Sequence, residues 1–450
     1  MRKFNVDLAT KYVDQNTALC WLRRDLRLTD HASLYHALKE NNSVQLIFIF
    51  DNQILDKLDD AADARVHFIH ECLEALNQEL IKNQSSLLVL SGNPVEIFRS
   101  LNPKCVYANH DYEPYAISRD DEVRKILKAK RIIFKTYKDQ VIFEKDEVVK
   151  DDGAPYTVFT PFSKKWISKI DSRSIKSHPV EKYLKNLRKT DPPALPSLKD
   201  IGFKKTNIVF PPRLVKSAVI ESYDKTRNFP SIDGTSKLSV HLRFGTISIR
   251  KLVQMAMKKN DVWLNELIWR EFYMMILWHF PHIETKAFKP AYDQIEWRND
   301  PGEFAAWCDG QTGYPIVDAG MRELNNSGYM HNRVRMITAS FLTKHLLIDW
   351  RWGEAYFAKK LLDFDLAANN GGWQWAAGSG CDAAPYFRVF NPALQAEKFD
   401  PEYIYINKWV PEVKTKHYSK PIVDHAVARA RVLKAYAPAL NAKSISLQIK

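Results

Sequence analysis

The sequence predicts two domains of different class: an α/β domain built on a parallel sheet, followed by an all-helical domain. Two patterns carry this prediction. Short apolar segments alternate with helical periodicity up to about residue 136, and beyond about residue 204 the periodicity is helical. The 450 residues are enough for two domains that each bury a core. We therefore expect domains at residues 18–136 and 205–450, joined by a linker at residues 137–204.

The first domain contains five apolar segments short enough to be buried strands. The clearest helical pattern between them covers residues 65–82. Buried strands that alternate with helices predict a parallel sheet covered on both faces, and such sheets bind ligands beyond the carboxyl ends of their strands. No phosphate-binding glycine motif occurs in this domain. The predicted strands are residues 18–22, 44–51, 86–90, 105–109 and 132–136.

The second domain follows a proline-rich stretch, DPPALPSLKDIG, at residues 191–202, a composition typical of a linker. Ten of the twelve tryptophans lie between Trp263 and Trp409, so aromatic chemistry is expected in this domain. The best predicted helices are residues 261–278, 314–325, 331–347 and 352–362.

Composition narrows the function classes. The net charge of +13 favours a polyanionic partner, although basic charge alone does not establish one. No run of 18 apolar residues and no secretory signal pattern occurs, so we expect a cytoplasmic protein without a membrane span. None of the five cysteines forms a CxxC pair, so no zinc site or iron–sulfur cluster is expected.

The most informative stretch covers residues 361–401, LLDFDLAANNGGWQWAAGSGCDAAPYFRVFNPALQAEKFDP. Asp363, Asp365 and Asn369 are polar groups in apolar surroundings, and buried polar groups need partners. Asp365 and Asn369 are four residues apart and share a face if the segment is helical. Two interpretations remain open from these residues alone: a helix N-terminus with local caps, or a pocket for a large, flat, hydrogen-bonding cofactor.

This stretch, together with ELIWREFY at residues 266–273, GTSKLS at 234–239 and HNRVRM at 331–336, resembles the photolyase/cryptochrome family over nearly the whole chain from Ala18 onward. Within the family it is most similar to the class I cyclobutane pyrimidine dimer photolyases of bacteria. The resemblance implies a Rossmann-like α/β antenna domain, a long linker and a helical domain that binds FAD. It also implies light-driven repair of cyclobutane pyrimidine dimers in UV-damaged DNA, by electron transfer from reduced FAD.

The resemblance assigns residues to the flavin. The loop at 234–239 could cradle a diphosphate, although such turns are commonly only helix caps. Asn369 matches the residue that faces flavin N5, where a neutral amide oxygen accepts the N5–H hydrogen bond of a reduced flavin. Asp363 and Asp365 are expected on the ribityl and isoalloxazine side. The residues expected to hold the phosphates and ribitol are Tyr223, Thr235, Ser236, Lys237, Leu238 and Ser239.

The resemblance also assigns a lesion pocket. Glu266 and Trp269 share a helical face, and by spacing alone a Glu266–Arg270 ion pair beside core tryptophans is the simpler interpretation. In the family, the matching acid binds the damaged pyrimidine and stabilises its radical anion, while the matching tryptophan stacks on it. Asn332 and Met336 match pocket positions that are histidines in (6-4) photolyases, so the pair favours the cyclobutane dimer as substrate.

Two further groups of residues follow from the resemblance. Trp297, Trp350 and Trp373 match a tryptophan chain that delivers electrons to oxidised flavin, although each alone is commonly core filling. Lys398 also occupies a matching or nearby position for a DNA contact, although it could equally be a solvated surface charge, and Arg388 could instead pair internally with Asp382. The expected DNA-binding residues are Arg227, Glu266, Trp269, Arg333, Arg388 and Gln395.

The pattern departs from the family in the predicted antenna. Folate-binding members carry an Asn-Glu pair where this chain has Tyr115 and Ala116. A folate, a deazaflavin, a second flavin or no second chromophore therefore all remain open. We expect a monomeric enzyme that acts on single- or double-stranded DNA. The alternatives are a cryptochrome-type blue-light photoreceptor, a (6-4) photolyase, or a flavin-dependent redox enzyme on a nicotinamide substrate, which the lack of a dinucleotide fingerprint disfavours.

Overall fold

The computed structural model describes residue 9 and residues 11–191 and 193–446. These residues form two compact units that share the chain in alternation. Of the described residues, the first unit contains those up to residue 147 and those within 169–214 and 237–258, and the second contains those within 148–168 and 215–236 and from 259 to 446. The predicted domain limits, 18–136, 137–204 and 205–450, stay a prediction.

The first unit is built on a five-stranded sheet in which every neighbouring pair is parallel. Its strands are β1 (Ala18–Leu22), β2 (Val44–Asp51), β3 (Leu87–Gly92), β4 (Cys105–Asn109) and β5 (Ile133–Tyr137), in the order β3-β2-β1-β4-β5. Ala18 of β1 pairs with Val44 of β2 on one side and with Cys105 of β4 on the other. Every residue of β1 and β2 is buried, as a sheet covered on both faces requires. The predicted parallel-sheet class is confirmed.

Nineteen α-helices accompany the sheet in the described part of the chain, besides short 3-10 helices and one π-helical turn. In chain order they are α1 (Ala32–Glu40), α2 (Asn52–Leu55), α3 (Ala64–Ile81), α4 (Pro94–Ser100), α5 (Pro114–Ala129), α6 (Phe159–Lys169), α7 (Ser217–Glu221), α8 (Tyr223–Thr226), α9 (Ser239–Arg243), α10 (Ile249–Lys259), α11 (Asp261–His279), α12 (Pro301–Cys308), α13 (Pro315–Ser327), α14 (Asn332–Ser340), α15 (Trp350–Lys360), α16 (Leu366–Ala377), α17 (Pro392–Phe399), α18 (Ile404–Trp409) and α19 (His425–Ser446). Among the described residues, no helix is both long enough and apolar enough to cross a bilayer.

A buried ion-pair network ties distant segments of the first unit together. Asp139 accepts hydrogen bonds from Arg27 at 2.6 Å and from Arg250 at 2.7 Å, and Arg250 also bonds Asp30 at 2.9 Å. Burial alone would raise the pKa of Asp139, but the two arginines hold it well below its usual range. Removing one partner of such a buried pair leaves an uncompensated charge, so Arg250 is required to complete this unit.

The second unit is helical, with a core rich in aromatic side chains from α12–α16. The prediction of one helix over residues 331–347 is wrong in its second half, because α14 ends at Ser340 and a π-helical turn covers Phe341–His345. Lys344 lies in this turn, is 1% exposed and donates hydrogen bonds to the carbonyl oxygens of Ala377 and Tyr386, both at 3.1 Å. Burial lowers the pKa of Lys344 to about 7.

Candidate active site

Helix α11 presents the predicted acid, Glu266, next to an arginine that is distant in sequence. The helix begins at the N-cap Asn260, whose side chain accepts from the backbone N–H groups of Val262 and Trp263. Oε1 of Glu266 lies 2.5 Å from Nη1 of Arg227, the C-cap residue of α8, and the two side chains are 30% and 29% exposed. The ion pair is therefore with Arg227, and the Glu266–Arg270 alternative is wrong. Burial raises the pKa of Glu266, while Arg227 acts in the opposite direction.

One turn further along α11, Trp269 is stacked on Phe159, the first residue of α6. The two ring centroids are 3.7 Å apart and the rings are inclined by only 5°. Helix α6 is held against α11 by further contacts, including a 2.5 Å hydrogen bond from Trp166 Nε1 to Glu271. Sequence analysis placed α6 in the linker and missed Phe159, although Phe159, Phe162 and Trp166 already follow helical spacing. The ring of Phe159 thus packs against one face of the Trp269 ring and supports it.

Helix α14 carries the second predicted pair and a predicted DNA contact. Asn332 is exposed in its first turn and Met336 is half-buried one turn later. Arg333 lies between them: its Nη1 is 3.7 Å from the sulfur of Met336, and its Nη2 is 2.6 Å from Oδ1 of Asn228. The guanidinium also sits 4.4 Å from the ring centroid of Phe399. These contacts fix Arg333 beside Met336.

The predicted DNA-binding arginines form an electrostatic cluster. Burial lowers the pKa of Arg333, and the charges of Arg227 and Arg388 lower it further. Mutual repulsion of this kind favours an anion that neutralises the three charges. Among the described residues no ion pair or hydrogen bond joins Asp382 to Arg388, and Asp382 Oδ2 instead accepts the backbone N–H of Phe159 at 3.0 Å. Gln395 is half-buried on α17, the helix that ends in Phe399.

Helix α16 carries Asn369 with its amide group oriented by a neighbouring helix. Asn369 Nδ2 donates to the side chain of Glu354 at 2.7 Å and to its backbone carbonyl at 3.2 Å. Within the described residues no group donates to the Asn369 oxygen, which is therefore available as an acceptor. Burial raises the pKa of Glu354. Glu354 was not predicted, and its sequence position gives no local signal because the contact joins α15 to α16.

The two aspartates near Asn369 have different partners. Asp365 is the N-cap of α16 and accepts from the backbone N–H of Ala368 at 3.2 Å, so the cap interpretation is correct for this residue. Asp363 has a side chain that is 7% exposed and accepts two hydrogen bonds from Arg335, at 2.9 and 3.1 Å. Both acids are thus anchored and leave carboxylate oxygens with further acceptor capacity.

The face of α16 next to Asn369 has room for a flat ligand. Asp365, Asn369 and Gly372 are spaced by four and three residues and so share this face. A Cβ placed on Gly372 would meet no heavy atom within 4 Å, whereas one on Gly371 would lie 2.2 Å from the ring of Tyr273. A bare stretch of helix beside an amide acceptor and two anchored carboxylates suits an isoalloxazine ring and its ribityl chain. These residues fit FAD.

The predicted phosphate-binding residues are divided between the two units. Tyr223, at the start of α8, and Thr235 belong to the second unit, where Thr235 Oγ1 lies 3.3 Å from the hydroxyl of Tyr329. Gly234 is packed against Thr226 so closely that a Cβ would lie 2.5 Å from its side chain. Ser236 ends this segment, and Lys237, Leu238 and Ser239 belong to the first unit.

The three predicted electron-transfer tryptophans share one hydrophobic cluster. Trp350 and Trp373 are each 2% exposed within it, and Trp297 packs against it while remaining half-buried. The ring of Trp373 contacts Trp307 at 6.0 Å and Phe357 at 4.9 Å, measured between centroids. The order of burial, from two enclosed rings to a partly exposed one, is what a relay to the surface needs, but it also describes ordinary core packing.

In the first unit, the positions that differ from folate-binding relatives have partners of their own. The Tyr115 hydroxyl donates to Asp51 at 2.6 Å, and Ala116 is 4% exposed. Burial raises the pKa of Asp51. In the described part of the chain, no three His, Cys, Asp or Glu side chains gather as ligands for a metal ion.

Comparison with known proteins agrees with this geometry. Residues 18–182 match the family model of DNA photolyase, and residues 263–416 match the FAD binding domain of DNA photolyase. The chain is 39% identical to a deoxyribodipyrimidine photo-lyase of a Synechococcus species, over 90% of this chain and 93% of that protein. It is 35% identical to the one of Escherichia coli, over 95% of this chain and all of that protein.

Two solved structures are similar along nearly their whole length. A class III photolyase of Agrobacterium tumefaciens has a TM-score of 0.84 and 32% identity, covering 95% of this chain and 98% of that one. An archaeal photolyase of Sulfolobus tokodaii, solved with two FAD molecules, has a TM-score of 0.78 and 34% identity, covering 94% and 99%. These matches confirm the resemblance predicted from the motifs: the chain belongs to the photolyase/cryptochrome family and carries its FAD-binding domain.

Proposed function

We propose that this protein is a deoxyribodipyrimidine photo-lyase that splits cyclobutane pyrimidine dimers in UV-damaged DNA. The observation that carries the proposal is the combination of Glu266 and Trp269 on one face of α11 with the arginine cluster of Arg227, Arg333 and Arg388. An acid, an aromatic ring and a group of arginines that can neutralise phosphates support this assignment. The relatives described above carry the same enzyme name over almost the full chain.

Trp269 provides the wall against which an extruded base can stack. Its ring is held by Phe159, and it retains exposed surface. An enzyme that acts on an extruded base must offset the lost stacking of the duplex, and an aromatic side chain does so. A dimer stacks poorly in DNA, so it costs less to extrude than normal bases, which supplies selectivity. Trp269 therefore recognises that the base has been flipped and Glu266 recognises its hydrogen-bonding edge.

FAD, when bound, supplies the light-driven electron that opens the cyclobutane ring and takes it back afterwards. The protein positions the groups around this cofactor. Asn369 donates through its amide nitrogen to Glu354, so its amide oxygen would be available to accept the N5–H hydrogen bond of a reduced flavin. Asp363 and Asp365 would border the ribityl side, and the family resemblance assigns the phosphates and ribitol to Tyr223 and residues 235–239.

The substrate type follows from Asn332 and Met336. Neither an amide nor a thioether transfers protons near neutral pH, so the pocket lacks the acid–base pair that a (6-4) product requires. The thioether of Met336 is already in contact with Arg333, which contacts DNA together with Arg227, Arg388 and Gln395. This arrangement favours the cyclobutane dimer.

Three further features complete the proposal. Trp373, Trp350 and Trp297 return electrons to oxidised flavin and take no part in repair. The enzyme works as a monomer in the cytoplasm, and all five of its cysteines are free thiols, in keeping with a reducing compartment. A second chromophore in the first unit would have to bind without the folate contacts that Tyr115 and Ala116 replace.

The test is light-dependent repair by purified, chemically reduced protein, with one oligonucleotide carrying a thymine cyclobutane dimer and another carrying a (6-4) product. Repair of the first alone is expected. Repair of the second alone would overturn the role of Asn332 and Met336, and repair of neither by FAD-loaded protein would favour a light sensor. Glu266→Ala should lower repair yield far more than lesion affinity, and Glu402→Ala, an exposed control, should change neither.

A further inference from the structure

The proposed role of Glu266 poses an electrostatic problem. An ionised carboxylate only accepts hydrogen bonds, and its negative charge repels a base that has gained an electron. A neutral carboxyl group instead accepts from the ring N–H of a pyrimidine through one oxygen and donates to the adjacent carbonyl through the other. Stabilising an anionic base therefore requires Glu266 in its protonated form.

In the free protein two opposing influences act on the carboxyl group of Glu266. Burial raises the pKa of its carboxyl group, and Arg227, 2.5 Å away, is the one charged group that acts in the opposite direction among the described residues. Tyr223 of α8 and Tyr273 of α11 are the other titratable side chains that interact with it, and burial raises the pKa of each phenol well above neutrality. The ionised form of Glu266 thus depends on Arg227.

Arg227 is also placed to bind DNA. Its side chain is 29% exposed, it lies 5.6 Å from the ring centroid of Tyr223, and it repels Arg333 within the cluster that includes Arg388. A DNA phosphate would neutralise this repulsion and compete with Glu266 for the same guanidinium. Glu266 and a DNA phosphate therefore compete for the Arg227 guanidinium, which cannot bind both equally well at the same time.

We propose that DNA binding moves the Arg227 guanidinium from Glu266 to a DNA phosphate, and that Glu266 then takes up one proton from solvent and presents a neutral carboxyl group to the extruded base. Arg227 keeps its own proton throughout, and no electron is transferred in this step. The proposal rests on the proposed function and makes Arg227 a positioning residue that couples DNA binding to the protonation of Glu266. In the protein without DNA, Glu266 is ionised and paired with Arg227. In the DNA complex its carboxyl group is protonated and can donate a hydrogen bond to the base.

The test is calorimetric titration, in the dark, of the FAD-loaded protein with the dimer-containing oligonucleotide. Measurements in buffers of different ionisation enthalpy give the number of protons taken up. We expect an uptake approaching about one proton per complex, with lesion affinity rising by at most about tenfold for each unit of falling pH. Glu266→Gln should bind the lesion without uptake.

Two arginine variants separate this coupling from a general loss of charge. Arg227→Gln removes the counter-ion beforehand, so DNA binding has no ion pair to break and the uptake should disappear. Arg333→Gln removes a neighbouring cation that bonds Asn228 rather than Glu266, so binding should weaken while the uptake remains. Uptake that persists in Glu266→Gln, or that is lost equally in both arginine variants, would overturn the proposal.

The outcome is separable from that of the proposed function. Dimer repair by the same preparation, combined with lesion binding that takes up no proton, would refute the Arg227 exchange and leave the enzyme assignment intact. Absence of both repair and preferential lesion binding would refute the proposed function itself.

Discussion

The adjacent glycines of α16 allow one methyl group to be tested in two environments. In Gly371→Ala the new Cβ would lie 2.2 Å from Cδ1 and 2.4 Å from Cε1 of Tyr273, far inside the roughly 3.5–4.0 Å of a normal carbon–carbon contact. In Gly372→Ala it would meet nothing within 4 Å. The two substitutions therefore differ only in what surrounds the added methyl group.

The magnitudes follow from this difference. Replacing glycine by alanine inside a helix stabilises it by about 1 kcal/mol, and both variants gain this amount. Gly371→Ala must also displace Tyr273, whose ring lies 5.4 Å from that of Trp269, and overpacking of this kind costs about 1–3 kcal/mol. In FAD-free protein we therefore expect Gly372→Ala to unfold at a higher temperature than wild type, and Gly371→Ala to unfold below Gly372→Ala by an amount equivalent to about 1–3 kcal/mol.

FAD binding should rank the two variants in the opposite order: Gly372→Ala is expected to be the more stable without FAD and the more impaired in binding it. If the open face of α16 receives the flavin, the methyl group of Gly372→Ala intrudes on it and FAD affinity falls by about tenfold for each 1.4 kcal/mol of clash. Thermal unfolding with and without FAD, followed by flavin fluorescence titration, measures both quantities. A Gly372→Ala variant that binds FAD as tightly as wild type would refute the placement of the flavin on this face, and one that is less stable than wild type without FAD would refute the open surroundings of Gly372.

Four other predictions concern separate parts of the second unit. Asn369→Asp sets a carboxyl group against Glu354, so FAD-free protein should lose about 1–3 kcal/mol in denaturant unfolding, and less at acid pH, where one carboxyl group is protonated. Trp297→Phe should slow photoreduction of oxidised flavin but spare repair by chemically reduced protein; a repair defect would contradict the assignment. Burial lowers the pKa of Lys344 to about 7, so above that pH the unfolded chain binds more protons than the folded protein. The free energy of unfolding of the wild type should therefore rise by up to about 1.4 kcal/mol per pH unit between about pH 7 and the normal lysine range. Lys344→Met should lack this contribution. DNA affinity should fall linearly with salt on logarithmic axes, and Arg388→Gln should reduce the slope by about 0.9; an unchanged slope would remove Arg388 from the interface.

The local hydrophobic pattern predicted the limits of strands and helices well wherever a segment followed a single periodicity. Strands β1, β2 and β4 have the predicted limits, since each is a short, mostly apolar segment that is buried along its whole length. The helix over residues 331–347 was predicted too long, because hydrophobic spacing does not reveal a π-helical turn. That turn changes the register so that Lys344, a residue expected on a surface, becomes buried.

In the candidate site, too, the sequence predicted contacts between neighbouring residues but not contacts between residues that are distant in sequence. Asp365 is the N-cap of α16, as the interpretation of this segment as a helix N-terminus predicted. The partners of Glu266 and Asn369 could not be read from spacing, because Arg227 is 39 residues away and Glu354 lies on another helix. Phe159 was missed because it lies within residues 137–204, where the loosened hydrophobic pattern was interpreted as a linker. The roles of the predicted site residues stay predictions until the variants above are measured.

The alternation of the chain between the two units has a consequence for synthesis on the ribosome. Asp139 is buried between Arg27 and Arg250, and the ribosome adds Arg250 long after Asp139. At roughly 5–20 residues per second, the intervening stretch takes on the order of 6–20 s to emerge. During that interval the nascent sheet holds a buried carboxylate with only one of its two counter-ions. The first unit is thus expected to mature late, and a ribosome stalled before Arg250 should expose an unfinished domain to chaperones and proteases.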